Sequence, residues 1–141
     1  MYDRILLPVD VNHPESWAKA APAALKAAGS DGEIHLLSVV YDLGVGVVSS
    51  FLPEDFEEQA MKAAKVHLAE IAADAFPQGA RVHTHVALGH VSEGILRVAD
   101  QTGADLIVMA AHPAGDITTF LVGSNTEKVV RHAKIPVLVV R

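Results

Sequence analysis

No cysteine occurs anywhere in the chain. A disulfide framework and a thiolate metal site are both excluded, and nothing indicates an oxidising compartment. Basic charge is scarce as well: 11 Lys and Arg stand against 17 Asp and Glu, for a formal net charge of -6. Without a run of Lys or Arg the chain lacks the basic footprint that phosphate-backbone binding requires, which excludes nucleic acid as its main partner. An acidic ligand would have to be held by backbone donors. No apolar stretch approaches the roughly 20 residues needed to cross a bilayer. The N-terminus, Met1-Tyr2-Asp3-Arg4-Ile5, runs straight into a strand pattern without the zones of a secretory leader. A cytoplasmic chain with no membrane insertion is expected.

What remains is 141 residues, 50% hydrophobic and 20% charged, enough for one domain spanning 1–141 with a sizeable core. Near-continuous apolar runs at 5–9, 34–40, 106–111 and 137–140 read as strands covered on both faces, as in a parallel sheet. Helical stripes lie between them: Trp17, Ala20, Ala21, Ala24, Leu25 and Ala28, then Phe56, Ala60, Ala63, Ala64, Leu68, Ile71 and Ala75, then Val91, Ile95, Leu96, Val98 and Ala99. A short fourth helix begins at Ser124. Residues 82–88 alternate apolar and polar, which suits an edge strand with one wet face. The order β-α-β-α-β-α-β-α-β predicts an α/β, doubly wound parallel sheet.

In such sheets the ligand site lies at the carboxyl ends of the strands where the topology reverses. Those positions hold Pro8, Val9 and Asp10, then Val39 and Val40, then Ala110, Ala111 and His112. Asp10 suits a sugar hydroxyl or a metal, and equally well a helix cap. His112 suits a phosphate or a proton transfer, and equally well a surface hydrogen bond. Gly123-Ser124 offers free N–H groups at a helix start, which suits an anion, while Ser124 and Glu127 have capping-box spacing. His83 and His85 share one strand face and make half of a metal site, but no third ligand follows at recognisable spacing. The simpler reading of that pair is a solvated edge. The apolar segment 42–52 is long for a strand-to-helix loop and reads as a lid, or as packing over the sheet end.

Neither a Walker sequence nor a Gly-x-Gly-x-x-Gly turn after the first strand is present, where the chain reads Val9-Asp10-Val11-Asn12-His13. A P-loop ATPase and a typical dinucleotide dehydrogenase are therefore excluded.

Several segments in fixed order carry a family likeness: Ile5-Leu6-Leu7-Pro8-Val9-Asp10, Leu36-Leu37-Ser38-Val39-Val40, Gly89 with Ile95-Leu96, Asp105-Leu106-Ile107-Val108-Met109-Ala110, and Asp116-Ile117-Thr118-Thr119-Phe120-Leu121-Val122-Gly123-Ser124 leading to Val137-Leu138-Val139-Val140. Across its whole length the chain resembles the universal stress protein family, in its short single-domain F/G-like branch. The resemblance implies a Rossmann-like five-stranded sheet of order 3-2-1-4-5, a homodimer, and an adenine-nucleotide site. The family's ATP-binding pattern is Gly, two residues, Gly, nine residues, Gly, then Ser or Thr. Those positions here hold Ala110, Pro113, Gly123 and Ser124, so the spacing is intact and the first two glycines are gone. Ala110 adds a Cβ and Pro113 removes an N–H donor, which implies altered or weakened nucleotide binding.

By the same resemblance, Asp10, Val39 and Val40 meet the adenosine end, Met109, Ala110 and His112 line its ribose side, Gly123, Ser124, Asn125 and Thr126 hold phosphates, and Pro8 belongs to the same nucleotide-binding set. The implied ligand is ATP, with or without Mg2+, or a related adenine nucleotide, and the implied role is a regulatory module of the stress response. Any hydrolysis is expected to be slow, because no Arg or Lys stands in the phosphate segment to stabilise transferred charge. Two other readings stay open: a nucleotide-free module that dimerises through 137–140 and binds a protein partner, and a slow hydrolase that uses His112.

Overall fold

A computed structural model describes residues 1–40, 55–111 and 124–141. In chain order the elements are β1 (Arg4–Pro8), α1 (Glu15–Ala18), α2 (Ala20–Ala28), β2 (Glu33–Val40), α3 (Phe56–Ala75), β3 (Arg81–Leu88), α4 (Val91–Thr102), β4 (Leu106–Ala110), α5 (Ser124–His132) and β5 (Val137–Val140). The five strands form one sheet in the order β3-β2-β1-β4-β5, and every neighbouring pair is parallel. The expected α/β class and strand order are both present. The alternating run at 82–88 does form an edge strand, β3.

The period of two in a strand sorts its side chains between two cores. Ile5 and Leu7, with Ile34, Leu36, Leu106 and Val108, face α2 and α3 through Ala20, Ala21, Ala24, Leu68 and Ile71. Leu6, Leu37, Ile107 and Met109 face the other way, toward α4 and α5 through Ile95, Val98, Ala99 and Val129. Being buried on both faces, β1 and β4 have no polar alternation. Alanine dominates the buried face of α2, so backbone and sheet approach closely with little side-chain entropy to lose.

One helical stripe divides in two. Residues 17–28 carry one apolar period, yet α1 ends at Ala18 and α2 starts at Ala20. The cause is Pro22, which has no N–H for the carbonyl of Ala18 and whose ring crowds that carbonyl. At the far side of the sheet α4 ends in a Schellman motif: Gly103 is left-handed at φ 67°, its N–H reaches Asp100 O at 3.3 Å, and the Ala104 N–H reaches Ala99 O at 3.0 Å. Among the described residues no helix is long and apolar enough to cross a membrane.

Candidate functional site

A cavity of about 600 Å³ opens at the carboxyl ends of β1, β2 and β4, a size within the range of small-molecule sites. It lies where the order reverses, since the chain moves outward from β1 to β2 on one side and to β4 on the other. Pro8, Val9 and Asp10 enter from β1, Val39 and Val40 from β2, Met109 and Ala110 from β4, and Asn125 from the first turn of α5. The predicted residues Pro8, Asp10, Val39, Val40, Met109, Ala110 and Asn125 thus share one cavity. Ser124 and Thr126 stand beside it on α5 without lining it, Ser124 exposed and Thr126 buried. His112 and Gly123 lie outside the described residues, as do Pro113 and the segment 42–52.

The turn after β1 is tied to itself. Asp10 accepts the Asn12 N–H on Oδ1 at 3.0 Å and meets His13 Nδ1 with Oδ2 at 2.8 Å. Its N–H donates to Ser16 Oγ at 2.9 Å, and the Ser16 hydroxyl donates back to the Asp10 carbonyl at 3.1 Å. Asp10 is not the cap of α1, which is preceded by Pro14 with no side-chain cap bond. Its carboxylate shapes an Asx turn and stays half exposed at the cavity rim. Ser124 opens α5, as its spacing to Glu127 suggested, and Glu127 pairs with Arg131 one turn further on.

Sequence reasoning missed one wall. Ala60, Ala63, Ala64 and His67 of α3 line the cavity, whereas their spacing reads as core. Only Ala64 of these is buried. The signal was their size: three alanines at i, i+3 and i+4 leave room that the Leu68 and Ile71 end of the same stripe fills. The floor is apolar, from Val9, Leu37, Val39, Val40 and Met109, and the polar atoms converge from Asp10, Asn12, Ser16, Ser38 and Asn125. Such a cleft accepts a flat ring against its walls and hydroxyl or phosphate groups at its rim. No Lys or Arg is among the described residues lining it.

A second group of side chains lies toward the amino ends of the strands. His35 is the register partner of His83 on the next strand, so His83 and His85 meet a third imidazole that sequence spacing alone did not reveal. His35 Nδ1 lies 2.8 Å from His85 Nε2, and its Nε2 lies 3.3 Å from Glu33 Oε2. The His35 ring stacks on His83 with centroids 4.8 Å apart and on His85 with centroids 5.0 Å apart. Burial pushes His35 and His85 below the ordinary imidazole value, with Glu33 opposing the shift at His35. The bond from His35 lowers the Glu33 carboxyl against its partial desolvation, helped by the charges of His83 and Arg4. A parallel register was the missing signal, because i and i+2 on one strand face i and i+2 on its neighbour.

Comparison with known proteins agrees with this architecture. The family model described as the Universal stress protein family matches residues 1–141. Universal stress protein G of Shigella flexneri is 36% identical over 143 residues, covering 100% of both chains. The solved structure of MJ0577, a protein of Methanocaldococcus jannaschii, matches with a TM-score of 0.74 at 28% identity, over 99% of this chain and 96% of that one. Two further solved structures share the fold. One is a universal stress protein in complex with cAMP, with a TM-score of 0.63, 21% identity and coverage of 99% and 97%. The other, from Archaeoglobus fulgidus in complex with dAMP, has a TM-score of 0.60, 18% identity and coverage of 99% and 98%.

Proposed function

The chain belongs to the universal stress protein family, and from that membership we propose that residues 1–141 form a single adenine-nucleotide-binding domain, a cytoplasmic regulatory module of the stress response whose bound state is read by a protein partner. The observation that carries this reading is the cavity at the switch point, with its apolar floor and polar rim. A purine ring fits between Val9, Val39, Val40 and Met109. Asp10 accepts from the ribose hydroxyls. The phosphates run toward the start of α5, past Asn125, where the helix dipole favours negative charge. Support also comes from the two universal stress proteins of this fold that hold cAMP and dAMP.

The ligand we favour is ATP, with Mg2+ on its phosphates, or a related adenine nucleotide. Magnesium prefers phosphate oxygens and water, with at most one or two carboxylates. The cation would neutralise phosphate charge in a cleft that lacks Lys and Arg among its described residues. Turnover, if any, is expected to be slow for the same lack of a cation aimed at transferred charge.

Calorimetry with ATP and AMP tests the proposal. Binding at millimolar ligand or below is expected, and Asp10→Asn should weaken it about tenfold, the scale of losing a charge-assisted hydrogen bond. Ala63 is exposed and lines the cavity from a helix, so Ala63→Trp should occupy the cleft without touching the core and also weaken binding about tenfold. An unliganded titration at millimolar nucleotide would remove the proposal and leave the nucleotide-free interaction module in its place.

The homodimer belongs to the same reading. β5 is the outer strand beyond β4, and its Leu138 is 42% exposed, an apolar edge of the kind that soluble proteins cover. Antiparallel pairing of Val137–Val140 with a second copy under a two-fold axis satisfies both edges. Leu138→Lys places like charges across that axis and is expected to turn dimer into monomer in sedimentation analysis. A native chain that sediments as a monomer at tens of micromolar would remove this part of the proposal.

A further inference from the structure

We infer that Glu33, His35 and His83 form a binding site for a first-row divalent cation of the zinc type, with His85 as the group that orients His35. One ligand atom from each of the three lies within 4.8 Å of the others. They are two imidazole nitrogens and a carboxylate oxygen, the donor set that suits Zn2+ and its neighbours rather than Mg2+ or Ca2+. The site is separate from the proposed nucleotide cleft, because Glu33 and His35 open β2 while Val39 and Val40 close it.

The third histidine, His85, supplies what an accidental cluster lacks. A metal-bound imidazole almost always gives its other N–H to a fixed acceptor, which sets the tautomer and the ring plane. His35 Nδ1 is already 2.8 Å from His85 Nε2. Without a cation, Glu33 accepts a hydrogen bond from His35 Nε2–H, and His35 Nδ1 accepts from His85 Nε2–H. With a cation on His35 Nε2, each ring moves its single proton to its other nitrogen and the same contact runs in reverse, His35 Nδ1–H donating to His85. Proton count is unchanged at both rings. The scaffold therefore serves both states.

Closure falls on the partners nearer solvent. A tetrahedral site with bonds near 2.0–2.2 Å needs ligand atoms roughly 3.4 Å apart. His35 is buried and held, whereas the side chains of His83 and Glu33 are 51% and 32% exposed, so His83 leaves its stack on His35 and turns with Glu33 toward the cation. Water completes the shell on the open side. Arg4 is the competitor, with its Nε 3.6 Å from Glu33 Oε2, and it must let go before the cation is held.

The experiment is titration of chelator-treated, nucleotide-free protein with ZnCl2 by calorimetry, with Co2+ absorption as a readout of tetrahedral geometry. One equivalent should bind, and a visible Co2+ band should appear. His83→Ala, at an exposed position, and Glu33→Gln should each weaken Zn2+ at least tenfold. Arg4→Gln should tighten it several-fold. His85→Gln should weaken it while leaving one equivalent bound. If His83→Ala binds Zn2+ with the native affinity and stoichiometry, the cation sits elsewhere and the proposal is wrong. Because no nucleotide is present, neither result bears on the cleft.

Discussion

Gly32→Ala is expected to destabilise the chain by about 3 kcal/mol, the upper end of overpacking costs. A Cβ at this position would lie 2.6 Å from the carbonyl oxygens of both Ala28 and Tyr2 and 2.8 Å from the Ala28 Cα. All three are backbone atoms and cannot rotate away. The Ala28 oxygen also accepts the Gly32 N–H at 3.1 Å, so any retreat breaks the bond that closes the turn from α2 into β2. Thermal unfolding should show a midpoint lowered by roughly 6–12 °C, from the 2–4 °C per kcal/mol usual for chains near this size. Gly94→Ala is the control. Its Cβ would meet Val39 methyls at 3.1 and 3.3 Å, a side chain that can yield, and the helix gains about 1 kcal/mol of propensity. That variant should stay within about 1 kcal/mol of the native chain. Equal losses in the two would mean that the turn at Gly32 has slack.

Asp105→Asn should cost about 2 kcal/mol at neutral pH and flatten the acid limb of the stability curve. The Asp105 carboxylate accepts the Arg4 N–H on Oδ1 and the Asp3 N–H on Oδ2, both at 2.9 Å, and so joins the entry of β4 to that of β1 across 101 residues of chain. Burial works to raise its pKa, but the N–H groups of Asp3, Arg4 and Asp105 itself, with the Arg4 charge, outweigh it and the net shift is downward. A carboxyl lowered in the fold is protonated first in the unfolded chain. Its stabilisation is complete above the ordinary aspartate value and is lost as pH falls toward the lower folded value. Hydrogen bonds to charged groups contribute about 1.5–3 kcal/mol, and partial exposure places Asp105 in the lower half of that range. Denaturant titrations at pH 7 and pH 3 give the check. The gap between native and variant should narrow at the lower pH, and a constant gap would show that packing rather than charge holds the corner.

Much of this architecture was legible in the amino-acid order. Runs such as Leu106-Ile107-Val108-Met109-Ala110 have no polar alternation because the strand is covered on both faces, and that pattern needs no tertiary knowledge to read. The alternation of His83, Thr84, His85 and Val86 marked an edge for the converse reason. The cleft residues at the strand ends followed from topology, since Pro8, Val39 and Ala110 are the last residues, or next to last, of their strands. Other features depend on what lies opposite. Ala60 and Ala63 have core periodicity, and only the space facing them makes them cavity wall. His35 reads as a polar interruption of β2 until register sets it beside His83. Asp10 was legible as polar and near the site, but its choice between a cap and an Asx turn was settled by Pro14 and Ser16 several residues on.

β2 carries residues of both proposed sites on one continuous strand, and this makes its length a shared dependency. From His35 to Val39 is four residues, roughly 13 Å at the usual strand rise, with Leu37 between them anchored in the core. Inserting one residue before Leu37 would turn Glu33 and His35 to the opposite face and uncouple them from His83, while the cleft end kept its register. Inserting one after Leu37 would spare the histidines and turn Val39 away from Gly94. Chain-length variation should therefore be tolerated poorly within β2, and a single-residue insertion at one of its ends is expected to remove the proposed site at that end while retaining the other.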